Sequence, residues 1–188
     1  EHLTPYLNAY DQWLQYQTYD ITEQLNAGSN LIAVMLGNGW YKGRYGLHDY
    51  PNKPKPYGEQ FALICELHIT LENSKQLVLI TDKSWNAAPA PVLASDIYDG
   101  ETYDARIAKP GQGKGKFSGV KKIALDTRKL QARRSLPVRI NDEIKPQAVI
   151  QTPAGETVLD MGQNMTGWIR FKTSAPSGTK IHLQFGEI

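Results

Sequence analysis

Residues 61–71 read FALICELHITL, and this stretch indicates the fold class. Its odd positions are all apolar: Phe61, Leu63, Cys65, Leu67, Ile69 and Leu71. Glu66, His68 and Thr70 take the other side, and such alternation is typical of a half-buried β-strand. We therefore expect Phe61, Leu63, Leu67 and Ile69 to face a core. Cys65 shares that face, where a free cysteine packs as a small hydrophobic residue rather than acting as a nucleophile.

Further short stretches outside this strand predict more strands and almost no helix. The predicted strands are residues 12–19, 31–36, 76–81, 148–152, 156–160, 168–173 and 179–185. One short helical turn is predicted, with Thr22 as its N-cap and Gly28 as its terminator. Many short strands separated by Gly, Pro, Asn and Asp indicate an all-β chain of the β-sandwich or jelly-roll type.

The aromatic residues divide the chain into two parts. All ten tyrosines lie before Asp104, and the later residues contain a single tryptophan, Trp168. We predict a first β-sandwich over residues 1–130 and the beginning of a second, truncated β-sandwich over residues 131–188. The second part has only about four predicted strands, which is few for a sandwich.

Composition excludes several classes of protein. The chain has 188 residues, of which 21% are charged, and a net charge of +2. No apolar run approaches the roughly 18 residues of a membrane span, so no membrane association is predicted. Residues 109–145 hold eleven Lys or Arg against three acids. Because no nucleic-acid-binding module accompanies this charge, we expect a solvated face and no nucleic-acid partner. The four histidines are isolated and Cys65 is the only cysteine, so neither a zinc site nor a disulfide is predicted.

The first candidate site is the glycine-rich segment GNGWYKGRYG, residues 37–46. Its glycine spacing does not fit a dinucleotide-binding loop, and no helix is predicted after it. Flat aromatic rings beside hydrogen-bonding groups suit a sugar, whose CH faces stack on the rings. The alternative is that the glycines serve tight turns and Trp40 caps the core. The candidate ligand contacts are Asn38, Trp40, Tyr41 and Arg44.

The second candidate site is SDIYDGETYDAR, residues 95–106, which places four carboxylates within nine residues. Three interpretations remain open: a hairpin turn with Gly100 at positive φ, a calcium or glycan site made of oxygen ligands, and a glycosidase pair such as Asp99 with Glu101. The candidate ligand contacts are Tyr98, Asp99, Glu101 and Asp104. No catalytic residue is assigned, because carboxylates on one turn rarely lie on opposite sides of a sugar.

The third cluster lies in ETVLDMGQNMTGWIRFK, residues 156–172. Asp160, Gln163 and Asn164 lie between two predicted strands, with glycines that permit a sharp turn. Hydrogen bonds across a corner are expected there, and ligand contact is the alternative.

Three stretches in order resemble the bacterial α-L-rhamnosidases (glycoside hydrolase family 78). They are WLQYQTYDITEQLNAGSNLIAVMLGNGWYKGRYG, SDIYDGETYDAR, and PVRINDEIKPQAVI followed by VLDMGQNMTGWIRFK. The resemblance implies a non-catalytic, galactose-binding-like N-terminal β-sandwich and the opening part of a second sandwich. Both would precede a catalytic (α/α) barrel that carries the acidic residues of the reaction. Some members of the family bind rhamnose with calcium in a sandwich of this kind.

Three functions are therefore compared. The first is a non-catalytic accessory part of an α-L-rhamnosidase that recognises a rhamnose-containing glycan or braces the catalytic barrel. The second is a small self-contained glycosidase that uses the acids from Asp96 to Asp104. The third is a purely structural β-sandwich without sugar affinity. Calcium is the only cofactor considered, and a periplasmic or secreted bacterial location is favoured over the cytoplasm.

Overall fold

The computed structural model describes residues 2–44, 55, 57–107 and 116–186. The chain divides into two compact units, Glu1–Pro137 and Val138–Ile188. Residues 45 and 46 of the glycine-rich segment, His48 and residues 109–115 of the basic stretch lie outside the described residues.

Ten strands lie in the described residues, and the prediction of an all-β chain is confirmed. They are β1 Leu14–Tyr16, β2 Glu66–Thr70, β3 Gln76–Ile80, β4 Asn86–Ala87, β5 Val92–Asp96, β6 Gly100–Tyr103, β7 Ser118–Gly119, β8 Leu130–Ala132, β9 Ala148–Gln151 and β10 Thr157–Asp160. They form five two-stranded ladders within this part of the chain. The helical elements found there are one turn of α-helix, α1 Gly39–Lys42, and the 3₁₀ turns Thr22–Gln24 and Thr127–Lys129. No helix among the described residues is long and apolar enough to cross a membrane.

The antiparallel hairpin β2–β3 confirms part of the predicted alternation. Leu67 and Ile69 are half-buried, whereas the intervening residues of β2 are exposed. The prediction is wrong for Phe61 and Leu63, whose side chains remain exposed at 52% and 37%. Beyond the pair of Glu66 with Ile80, the carbonyl of Cys65 accepts one more backbone hydrogen bond, from Thr81 at 3.0 Å, and residues 61–64 have no ladder partner among the described residues.

Three other predicted strands are also not part of a ladder in the described residues: 31–36, 168–173 and 179–185. A β-strand needs a neighbouring backbone to accept and donate its hydrogen bonds, and no strand described in the structure lies beside them. Leu31 is 91% exposed and Met35 is 73% exposed. The first unit therefore presents an apolar segment without a ladder partner among the described residues.

The helical turn near residue 22 is present but is capped differently from the prediction. The side chain of Asp20 accepts hydrogen bonds from both the backbone N–H and the hydroxyl of Thr22. Thr22 is thus the first residue of the 3₁₀ turn rather than its cap. The turn ends at Gln24 with Leu25 as its C-cap, so the prediction that Gly28 terminates it is wrong, although Gly28 does have a positive φ of 90°.

A parallel ladder joins the two ends of the first unit. Leu14 of β1 pairs with Leu130 of β8, and Tyr16 pairs with Ala132. Gln15, the middle residue of β1, is buried, and its side chain donates a hydrogen bond of 2.8 Å to the buried Asn8. Strand β8 is thereby fixed against the first strand of the chain, which places the intervening hairpins within one unit.

The second unit is built on the antiparallel hairpin β9–β10, in which Ala148 pairs with Asp160. After β10 the carboxylate of Asp160 accepts a hydrogen bond from the backbone of Gly162 at 2.7 Å. Gly162 has a φ of 74°, and a Cβ there would overlap the side chain of Gln147. The corner predicted after β10 is therefore closed by hydrogen bonds within the turn, while Gln163 and Asn164 are exposed.

Candidate functional site

The second candidate site forms a hairpin turn between β5 and β6. One carboxylate oxygen of Asp96 accepts hydrogen bonds from the backbone N–H groups of Tyr98 and Asp99, at 2.9 and 3.2 Å. Gly100 completes the turn with a φ of 82°, a left-handed conformation that favours glycine. The hairpin interpretation is therefore confirmed, and the Asp96 carboxylate acts within the turn.

The first candidate site contains a turn of helix rather than only irregular backbone. Helix α1 carries Trp40 and Tyr41, and the preceding Asn38 donates its backbone N–H to the carbonyl of Ser95 at 3.3 Å. The Asn38 side chain in turn accepts a hydrogen bond from Lys42 Nζ at 3.1 Å. Residues 38–44, the aromatic segment, are thus attached to strand β5 at their N-terminal end.

Arg44 attaches the other end of the aromatic segment to the hairpin turn. Its Nε donates to a carboxylate oxygen of Asp99 at 2.7 Å, and its guanidinium carbon lies 5.2 Å from the centre of the Tyr98 ring. Only 6% of Arg44 is exposed, and its Nη1 is buried with no hydrogen-bond acceptor among the described residues. The structure therefore brings together two clusters that are 55 residues apart in sequence.

The aromatic rings of α1 are supported from one side and remain accessible. Tyr41 packs edge-to-face against Tyr10, with ring centres 5.6 Å apart. A Cβ at Gly58 would lie 2.5 Å from the Tyr41 hydroxyl, so a side chain there would displace the ring. Tyr41 nevertheless keeps 37% of its surface exposed, and Trp40 is half-buried. Neither ring is enclosed by the core.

No contact among the described residues joins Asp104 or Glu101 to the Arg44–Asp99 pair. Asp104 follows the end of β6, about 13 Å along an extended strand from Gly100. Its carboxylate accepts two hydrogen bonds of 2.8 Å from the guanidinium of Arg106. Those bonds, with one from the Arg106 backbone, lower the pKa of Asp104 to about 2. Glu101 lies on β6 opposite Ser95 and is exposed.

The described residues contain no group of three or more His, Cys, Asp or Glu side chains placed to hold a metal ion. Three of the four carboxylates of the hairpin already accept hydrogen bonds. Asp96 accepts them from backbone N–H groups, and Asp99 and Asp104 accept them from arginines. The calcium interpretation of this cluster therefore finds no preformed group of ligands in this part of the chain.

Sequence reasoning missed the structural role of Gly43. This residue is buried, and a Cβ on it would lie 2.3 Å from the carbonyl oxygen of Gly39 and 3.0 Å from an Asp96 carboxylate oxygen. The glycine allows the backbone after α1 to approach the hairpin closely. The glycine spacing of the segment suggested tight turns. It did not show that the backbone at Gly43 packs against Asp96, because Asp96 is distant in sequence.

Comparison with known proteins defines the class of protein. Residues 1–142 match the model of the alpha-L-rhamnosidase N-terminal domain, and residues 150–188 match that of the bacterial alpha-L-rhamnosidase concanavalin-like domain. The chain therefore belongs to the alpha-L-rhamnosidase family and corresponds to its N-terminal region, as the sequence motifs predicted.

Particular relatives agree with this assignment. An alpha-L-rhamnosidase of Streptomyces avermitilis is 32% identical over all of this chain, and one of Formosa agariphila is 28% identical over 96% of it. The crystal structure of native α-L-rhamnosidase from Aspergillus terreus aligns with 86% of the chain, with a TM-score of 0.74 and 30% identity. The chain spans about a fifth of the length of each of these relatives.

Proposed function

We propose that residues 1–188 are a non-catalytic part of an α-L-rhamnosidase that contributes to recognition of a rhamnose-containing glycan. The observation that carries the proposal is the convergence of the aromatic segment and the β5–β6 turn at Arg44 and Asp99. Tyr41 on the aromatic segment and Tyr98 in the turn both keep exposed surface, and the Tyr98 ring lies beside the guanidinium of Arg44. In the same proposal, a catalytic (α/α) barrel of the parent protein carries out the hydrolysis.

The chemistry of the site suits a deoxy sugar. The apolar CH face of such a sugar packs against an aromatic ring, while its hydroxyls need polar partners at the edge. Asn38 and Glu101 supply amide and carboxylate oxygens on either side of Ser95, whose carbonyl accepts the Asn38 N–H and which pairs with Glu101 across the β5–β6 ladder. We therefore assign ligand contact to Asn38, Trp40, Tyr41, Tyr98 and Glu101, and support of these residues to Arg44 and Asp99.

The geometry argues against a self-contained glycosidase in these residues. Hydrolysis requires one carboxyl group that remains protonated and a second, ionised one across the sugar. Arg106 holds Asp104 ionised, with a pKa of about 2, and Asp99 is paired with Arg44. Asp104 therefore cannot serve as a general acid near neutral pH, and the Asp99 carboxylate is occupied by its ion pair.

Calorimetric titration with L-rhamnose, in calcium and in EDTA, tests the proposal. We expect the wild-type chain to bind and Tyr41→Ala to lose at least tenfold in affinity, since stacking on an aromatic ring is removed. Tyr103→Ala serves as the control, because this tyrosine is also exposed but lies at the far end of β6. Absence of binding in both buffers would favour the purely structural alternative.

An activity assay tests the remaining alternative, a small self-contained glycosidase. We expect no turnover of an aryl α-L-rhamnoside by residues 1–188. Turnover above background that is lost in Asp99→Ala, Glu101→Ala or Asp104→Ala would support the small-glycosidase alternative instead.

A further inference from the structure

We propose that Arg44 is a positioning residue, which acts through Asp99 to hold the aromatic segment 38–44 on the β5–β6 turn. The inference rests on the proposed function, because it concerns the rings assigned to glycan contact. It assigns Arg44 a different task from direct ligand binding, which the sequence had suggested.

The surroundings of the Arg44 guanidinium support a positioning role. Only 7% of the side chain is exposed, its Nε is used by Asp99, and the Tyr98 ring lies near its guanidinium carbon. Nη1 is buried as well, so the described structure gives a ligand little access to this group. A buried guanidinium is costly unless it is paired, which makes the contact with Asp99 the main compensation for burying Arg44.

The aromatic segment is attached to the hairpin at both ends. Before α1, the Asn38 N–H bonds to the Ser95 carbonyl, and after α1, Arg44 bonds to Asp99. One attachment point, Ser95, lies on β5, and the other, Asp99, lies in the turn between β5 and β6. Because four residues of α1 span only one helical turn, fixing both ends also fixes the direction of Trp40 and Tyr41.

Close packing between the two attachment points restricts movement of the aromatic segment as long as both hydrogen bonds are intact. The backbone at Gly43 approaches the Asp96 carboxylate so closely that a Cβ would be 3.0 Å from it. The first attachment is a neutral backbone hydrogen bond of 3.3 Å, whereas the second is a charge-assisted bond of 2.7 Å. The charge-assisted bond is the stronger of the two, and its loss should release the C-terminal end of the segment.

Lysine should not replace Arg44 in this role. The planar guanidinium directs a donor at Asp99 and lies near the Tyr98 ring at once, whereas an ammonium group is a point charge on a flexible stem. A role that required only positive charge would tolerate Arg44→Lys. The positioning role predicts that this variant behaves like Arg44→Gln.

The test compares Arg44→Gln, Arg44→Lys and Asp99→Asn with the control Arg128→Gln. Arg128 also pairs with an aspartate, Asp126, at 2.8 Å, but its side chain is 89% exposed. Hydrogen exchange of peptides covering residues 36–44 is measured together with urea unfolding and L-rhamnose titration. We expect exchange in that segment to rise about tenfold or more in the first three variants, the effect of losing a bond between charged groups. Affinity for L-rhamnose should fall by a similar factor, and Arg128→Gln should change neither.

The double variant Arg44→Gln/Asp99→Asn addresses folding and coupling. If the two residues act as one attachment, the double variant should be no worse than either single variant. Unchanged exchange in residues 36–44, or an equal rise throughout the first unit, would overturn the positioning role. A wild-type chain that binds no L-rhamnose would overturn the proposed function alone, since exchange still reports whether Arg44 holds the segment.

Discussion

Gln15 accepts a hydrogen bond from the backbone N–H of Arg134 at 2.9 Å, although 119 positions separate the two residues. The same side chain donates to Asn8, whose own amide donates to the carbonyls of Pro5 and Tyr6. One buried amide thus joins the beginning of the chain to the segment after β8. The parallel β1–β8 ladder has only three residue pairs, so this side chain is a substantial part of the connection.

We therefore expect Gln15→Ala to reduce the free energy of unfolding by about 2 kcal/mol, because it leaves Asn8 and the Arg134 N–H without their partner. Urea denaturation followed by circular dichroism provides the measurement. Gln12→Ala is the matched control, since Gln12 is exposed and, within the described part of the chain, its side chain bonds only to the adjacent Asp11. Equal loss of stability in the two variants would contradict the assigned role of Gln15.

Gly100 provides a second stability test within the β5–β6 hairpin. Its φ of 82° is unfavourable for an L-residue, so we expect Gly100→Ala to destabilise the chain by about 1 kcal/mol. A Cβ at Gly100 would meet no atom within 4 Å, which makes backbone strain the sole expected cause. Gly119→Ala has the same open space without a positive φ and should be nearly neutral. Similar denaturation midpoints for the two variants would argue against strain at the turn.

The sequence predicted the hairpins β2–β3 and β9–β10 because their information is local, whereas β5 and β6 were not predicted as strands. Alternation along β2 and the signals for turns define both strands of β2–β3, and the same holds for β9–β10. The prediction failed at residues 61–64 and 31–36, where strand formation depends on a partner backbone. Periodicity shows that a segment can form a strand, but it does not show whether another strand lies beside it.

The candidate site shows the same division between local and distant information. The turn at Asp96 and Gly100 follows from residues that are neighbours in sequence, and it was among the predicted interpretations. The contact between Arg44 and Asp99 depends on how a loop packs on a hairpin 55 residues away. Composition indicated that both clusters were chemically suited to a ligand, whereas their meeting could be found only from the structure.

The pH dependence of Asp104 offers a third test. Arg106 lowers the pKa of this carboxyl to about 2 from its usual 3.8. Because the pKa is depressed in the folded chain, ionised Asp104 favours folding above about pH 3.8, and this contribution is lost as the pH falls towards 2. Titration by carboxyl carbon NMR should give a midpoint near 2, and Arg106→Gln should raise it towards 3.8. Arg128→Gln, which removes the partner of Asp126 instead, should leave the Asp104 midpoint unchanged.

The last test concerns the apolar segment 31–36, LIAVML, which carries no charge. Leu31 is 91% exposed, and the segment has no ladder partner among the described residues. Short uncharged segments of high β-propensity with unpaired backbone associate with one another, so we expect this chain to self-associate as its concentration rises. Leu31→Lys should reduce that association, since like charges would meet when two segments pair.

Leu136→Lys separates the effect of the segment from a general effect of charge. Leu136 is 89% exposed, almost as much as Leu31, but it is not part of a long apolar run. Both variants add one positive charge, so they alter the net charge of the chain equally. Light scattering over a range of protein concentrations should show a clear decrease in mean mass for Leu31→Lys and a much smaller one for Leu136→Lys. An equal decrease in both would assign the effect to net charge, and a monomeric wild type at high concentration would contradict the predicted self-association.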